Sequence, residues 1–192
     1  CCATSVPKAR AGHKPKAART RRALLLRCCF EGLRELQQLR TLVAHALSLT
    51  APGIPMILQG EEFMQQGSFN DWQMLDWNKT VQFAGIVLAF QHLINLRKDA
   101  YGNTSGLSSQ SINVFHQDIT NNIIAYHRWG NGGPHDDVLI IVNFSDLRFK
   151  EYKLYVPIPG MWHVRFNSSW KGYSPDFNET KISKATTDEN SQ

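Results

Sequence analysis

Cysteine is missing from the body of this chain. Its four cysteines, Cys1, Cys2, Cys28 and Cys29, fall in the first 30 of 192 residues as two adjacent pairs. The pairs lack the two-residue spacer of common zinc motifs, so they do not read as a metal site. A body without cysteine needs no oxidising compartment, which points to the cytoplasm. Long apolar runs are missing too. None approaches the roughly 20 residues that cross a bilayer, so the expectation is a soluble protein with no membrane partner. Acidic residues are absent from residues 1–30, which hold eight Lys/Arg. The remainder holds 13 Lys/Arg against 16 Asp/Glu. The formal net charge of +5 therefore belongs to a tail and hides an acidic body.

That tail, residues 1–32, is dominated by Ala, Arg, Lys and Pro with almost no apolar periodicity. Such a segment buries too little surface to offset its ordering entropy, so disorder is expected. Lys and Arg neutralise phosphates, which allows a nucleic-acid-binding arm, but no aromatic interleaves with the charges as single-strand binding would require. An organellar transit peptide is the other basic alternative. Ser and Thr are scarce for it, at Thr4, Ser5 and Thr20 only.

The body shows two periods. Leu36, Leu39, Val43, Ala46 and Leu47 recur at helical spacing and predict a helix over 33–49, stopped by Ala51-Pro52-Gly53. Residues 54–58 form a short apolar run fenced by Pro-Gly and Gly-Glu-Glu, which predicts a strand buried on both faces. A long loop over 60–79 follows, dense in aromatics and carboxylates. A second helix is expected over 80–98, with Thr80 as its N-cap and Phe83, Ile86, Val87, Phe90, Ile94 and Leu96 on its apolar face. After a Gly/Asn/Thr/Ser linker the period changes. Residues 112–116, 123–129, 138–144, 152–156 and 162–166 read as strands, and Trp162, Val164 and Phe166 alternate with His163 and Arg165. Turns rich in Asn, Gly and Pro separate them. Close spacing of strands predicts an antiparallel sandwich over 108–180. Residues 181–192 are polar and expected to fray.

Several of these pieces, in this order, resemble one family. Gly53-x-Pro55-x-x-x-x-Gly60-x-Glu62 is similar to the motif at the eighth barrel strand of the α-amylase family of glycoside hydrolases and transglycosylases. Thr50-Ala51-Pro52, Gly67-x-Phe69-x-Asp71 and Leu75-Asp76-Trp77 fit it as well, most closely the glycogen branching enzymes. Tyr126-His127-Arg128-Trp129, Val142-Asn143-Phe144 and Trp170-x-Gly172-Tyr173-Ser174-Pro175-Asp176-Phe177 resemble the family's C-terminal all-β domain. The likeness covers roughly residues 35–179.

The resemblance implies an α+β chain. Residues 33–100 would be the closing helix–strand–helix remnant of a (β/α)8 TIM barrel, and 108–180 an antiparallel all-β sandwich domain, behind a disordered basic N-terminal tail. It implies cleavage of an α-1,4 glucosidic bond by an Asp nucleophile, a Glu acid/base and a second Asp. None of the three has a counterpart here, so the chain is expected to be a C-terminal portion, inert alone, with no catalytic residue, cofactor or metal. The implied partner is an α-glucan such as starch or glycogen, and no protein partner is expected. Hydrolysis and branching transfer stay open.

The residues themselves agree on catalysis. Retaining glycosidases hold two carboxyl groups about 5–5.5 Å apart. Glu61 and Glu62 are neighbours whose side chains diverge on a strand, and nothing in the sequence fixes Asp71 against Asp76. The candidate binding set is Glu62, Phe69, Asp71, Trp72, Asp76 and Trp77. Aromatic faces would meet sugar rings, and carboxylates would accept from hydroxyls. Against this stand structural roles: Trp77 packing a helix and Glu62 paired with an Arg at a barrel rim. His116 and His127 lie on consecutive strands but lack a third ligand for a metal. His135-Asp136-Asp137 reads as a solvated loop. A non-catalytic α-glucan-binding module and a basic-tailed nucleic-acid binder are the alternatives to the enzyme portion.

Overall fold

The computed structural model describes residues 21–27, 33–132, 136–149, 151–179 and 184–186. The first helix, α1 (Leu33–Thr50), forms where the apolar spacing predicts it. Leu39, Leu42, Val43, Ala46 and Leu49 are buried along one stripe. Its C-terminal carbonyls are not left to solvent. Arg97 donates to the carbonyls of Leu49, Ala51 and Gly53, and Arg128 donates to that of Thr50. Two guanidinium groups at a helix C-terminus both satisfy orphan acceptors and complement the helix dipole.

The second expected helix is two. α2 (Asn78–Gln82) and α3 (Ala84–Arg97) are separated at Phe83, whose ψ of 34° is not helical. Thr80 is not the N-cap. It lies inside α2 and its hydroxyl donates back to the Trp77 carbonyl at 2.7 Å. α3 buries Ile86, Ala89, Phe90, Leu93 and Leu96. Gly85 near its start is required by packing, because a Cβ there would stand 1.9 Å from the Tyr173 carbonyl oxygen.

The described strands form one six-stranded sheet. They are β1 (Arg21–Arg27), β2 (Ser111–Asp118), β3 (Ile123–Trp129), β4 (Val138–Asn143), β5 (Met161–Asn167) and β6 (Lys184–Thr186). The order is β2-β3-β4-β1-β5-β6. β2, β3 and β4 make an antiparallel meander, β5 pairs β6 antiparallel, and β1 joins the two parts in parallel with both β4 and β5. One face of the sheet, through Leu24, Leu26, Ile140, Val142 and Phe166, shares a buried cluster with α1 and α3. Ala23, Leu139 and Trp162 form a smaller cluster of their own. The main cluster takes residues from both sides of the expected boundary between 100 and 108.

Four expectations are corrected. Residues 21–27 are not part of a disordered tail. Ala23, Leu24 and Leu26 are buried in a central strand, and even Arg22 is 4% exposed. A central strand covered on both faces reads as a continuous apolar run, which Ala-Leu-Leu-Leu is. The rest of the tail, with its cysteines, lies outside the described residues. Residues 54–58 are not a buried strand. They join no ladder among the described strands, with Ile54 98% and Met56 91% exposed, because a strand needs neighbours to satisfy its backbone and cover its faces. The β-region is a single mixed sheet, not an antiparallel sandwich, since residues 152–156 stay out of the ladders and helices take the place of a second sheet. Asp136 is not in a solvated loop. It is 4% exposed and accepts from the Gly130 and Gly132 amides at 2.8 and 2.6 Å and from the Ser105 hydroxyl at 3.1 Å. His135 lies outside the described residues. Among the described residues no helix is long and apolar enough to cross a membrane.

Candidate functional site

The loop between α1 and α2 is braced by its own side chains. Gly60, with φ of 93°, turns the chain so that its carbonyl accepts from the amides of Phe63 and Gln65 at 3.2 and 2.9 Å. Phe63 is fully buried and packs on Trp77, ring centres 5.4 Å apart, which closes the base of the loop. Gln65 Oε1 accepts from the Asp76 amide at 3.3 Å across the loop. Asn70 Oδ1 accepts from the Trp72 amide at 3.0 Å, setting the turn that carries Trp72.

Both glutamates serve this frame. Glu62 Oε2 accepts from the Gly60 amide at 2.8 Å, where an arginine partner was expected. Glu61 Oε2 accepts from the Leu58 amide at 3.1 Å and stands 3.6 Å from His45 Nε2 on α1. Burial pushes the His45 imidazole below its ordinary value, against the raising pull of Glu61 and Glu62. The ring also packs on Phe90, 4.6 Å between centres. Asp76 Oδ1 accepts from the Asn78 amide and side-chain nitrogen at 3.2 and 3.1 Å, at the start of α2.

Three of the six candidates thus act on the loop itself: Glu62, Asp76 and, through Phe63, Trp77. The other three, Phe69, Asp71 and Trp72, stand out to solvent, with Trp72 96% and Phe69 62% exposed; Asp76 and Trp77 are exposed as well, Trp77 at 65%, and differ in the loop contacts they make. Phe69 also borders a shallow cleft of about 90 Å³ whose lining includes Gln59, Gln65, Gln66, Asn70 and Gln73. Sequence reading singled out aromatics and carboxylates and passed over these amides. The signal was available: four Gln and one Asn fall within residues 59–73.

Amide side chains offer donors and acceptors together and carry no charge. Beside an exposed aromatic ring they suit a neutral ligand rich in hydroxyls. They do not suit proton transfer, and the nearby glutamates are committed to backbone amides. The two histidines of the β-region do not meet either. His116 Nε2 is 2.7 Å from the Tyr152 hydroxyl, and His127 Nε2 is 2.9 Å from Asp137 Oδ1 while its ring stacks on Trp129.

Residues 114–192 match the family described as alpha amylase, C-terminal all-beta domain. The 1,4-alpha-glucan branching enzyme GlgB of Rhodopseudomonas palustris (strain HaA2) is 31% identical over 132 residues, 65% of this chain and 18% of the relative. That of Pseudomonas syringae pv. tomato is 27% identical over 135 residues, covering 67% and 18%. That of Frankia casuarinae is 27% identical over 148 residues, covering 72% and 18%. The chain therefore spans about a fifth of the length of the curated relatives it matches. Its residues 114–192 are thus similar to the α-amylase C-terminal all-beta domain, and most of its length is similar to 1,4-alpha-glucan branching enzymes.

Proposed function

We propose that this chain belongs to a protein acting on α-1,4-linked glucan and that its own share of that work is to hold glucan, not to cleave it. The observation that carries this is the amide-rich cleft, lined by exposed Phe69 and by Glu61 as its one carboxylate, with exposed Trp72 on the same loop, in a chain similar to branching enzymes. Phe69 and Trp72 would stack on sugar faces, and Gln65, Gln66, Asn70 and Gln73 would exchange hydrogen bonds with hydroxyls. Asp71 would accept from hydroxyls at the cleft's border, whereas Glu62, Asp76 and Trp77 keep the loop in shape.

In the same reading, residues 33–100 are the closing helix–strand–helix of a (β/α)8 barrel. The apolar residues 54–58, lying between α1 and α3 with Ile54 and Met56 exposed and Ile57 partly buried, have the character of a strand waiting for ladder partners. Chemistry would then reside elsewhere in the larger protein, since Glu61 and Glu62 of this loop are tied to backbone amides.

The test is affinity electrophoresis of the purified chain through gels containing glycogen, with an amylose assay for reducing sugar and branches alongside. Glycogen should retard the chain, Phe69→Ala and Trp72→Ala should weaken that retardation, and neither product should form. Absence of retardation, or retardation that both substitutions leave unchanged, would overturn the reading.

A further inference from the structure

Trp170 lies on a turn after β5 and is not among the residues lining the amide-rich cleft. Its backbone is pinned on both sides: its amide donates to the Asn167 carbonyl and its carbonyl accepts from the Tyr173 amide, each at 3.0 Å. Asn167 Oδ1 also accepts from the Ser169 amide and hydroxyl at 3.1 and 2.9 Å, tightening the same turn. The indole is held as firmly. A Cβ on Gly172 would stand 2.3, 2.4 and 2.5 Å from three consecutive atoms of its benzo ring. An approach in the ring plane would bring one atom much nearer than its neighbours. Near-equal distances mean that Gly172 lies against the ring face. Tyr173 meets the indole at 87° with centres 4.9 Å apart, and the Tyr173 hydroxyl is tied to His92 Nδ1 at 2.7 Å.

Despite this bracing Trp170 remains 39% exposed. A large ring seated on a glycine, fixed in its turn and left open to solvent is a preorganised platform, since little freedom remains to be lost on binding. Its border is polar. The His92 ring centre is 6.3 Å from the indole, and Lys171 is exposed next to it.

We propose that Trp170, seated on Gly172, is a second α-glucan contact that stacks on a glucosyl ring independently of the Phe69–Trp72 cleft. This rests on the reading that the chain meets α-glucan. The two sites share no residue, so one glucan could engage both and gain avidity.

The experiment compares Trp170→Ala, Trp170→Phe, Gly172→Ala and the double variant Phe69→Ala/Trp72→Ala in glycogen-containing gels, with thermal melts of each. Maltoheptaose is titrated into the wild-type chain while the indole N–H signals are followed by NMR, the Trp170 signal being assigned from Trp170→Phe. Trp170→Ala should weaken retardation about three- to tenfold, the range for loss of one aromatic stacking contact. Trp170→Phe should recover part of it. Gly172→Ala should weaken binding while keeping the ring, because the added methyl tilts the indole off its seat. Maltoheptaose should shift the Trp170 signal even in the double variant. Unchanged retardation in Trp170→Ala with a silent Trp170 signal would overturn the platform and leave the cleft standing. Loss of retardation in Trp170 variants alone would remove the cleft and keep the platform.

Discussion

Replacing Leu24 by alanine separates two incompatible accounts of the N-terminal segment. In the structure β1 is the strand that joins the meander to β5 and β6. Leu24 and Leu26 are completely buried, two residues apart and so on one face, in the cluster formed with α1 and α3. Truncating a leucine in such a core removes its transfer free energy and leaves a cavity that the neighbours fill only partly, a loss of about 2–5 kcal/mol. Whole domains hold roughly 5–15 kcal/mol, so the loss is a large share. For a chain of this size it lowers the melting midpoint by about 5–20 °C. Urea unfolding followed by tryptophan fluorescence reads it directly, since Trp162 is buried beside Ala23 of the same strand. The midpoint should fall with little change in slope, as a pure stability change requires. Leu26→Ala should behave alike. If both variants stay within about 0.5 kcal/mol of wild type, the level of inconsequential surface changes, β1 does not pack and the composition-based expectation of a free tail is restored.

Two further outcomes follow from polar contacts. Arg128 is fully buried and donates to the carbonyls of Ser111 and Leu107 at 2.8 and 3.1 Å and to those of Thr50 and Ser109. Arg128→Met should cost about 3 kcal/mol or more in urea unfolding, because several buried acceptors lose a charged donor together; a cost under about 1 kcal/mol would mean that water or relaxation replaces it. Asp118 is held at about 2 by the Asn121 side chain first, then by the Asn121 amide and the Tyr152 hydroxyl. Its folded value lies below the unfolded one, so its contribution is complete above about pH 4 and is lost as pH falls through 2. The urea midpoint should show that acid slope in wild type and lose it in Asp118→Asn; identical slopes would refute the assignment.

Periodicity and turn chemistry determined much of this protein. α1, β2, β3, β4 and β5 fall where apolar spacing puts them, because a local period of 3.6 or 2 selects the face to be buried. The motifs from Gly53 to Trp77 pointed to a loop facing solvent, and Phe69 and Trp72 are there. Tertiary structure alone decided the rest. β1 pairs with strands more than 110 residues away, and nothing local announces a parallel partner at that range. Residues 54–58 have a strand's composition and no ladder, since pairing is a property of neighbours and not of the segment. Asp136 and Arg128 look like surface charges in the sequence. They are buried because the fold brings backbone amides to one and backbone carbonyls to the other, which offsets their desolvation. The seat of Trp170 on Gly172 is of the same kind: the two residues are two positions apart in the chain, but only the folded turn lays the ring on the backbone and leaves it open.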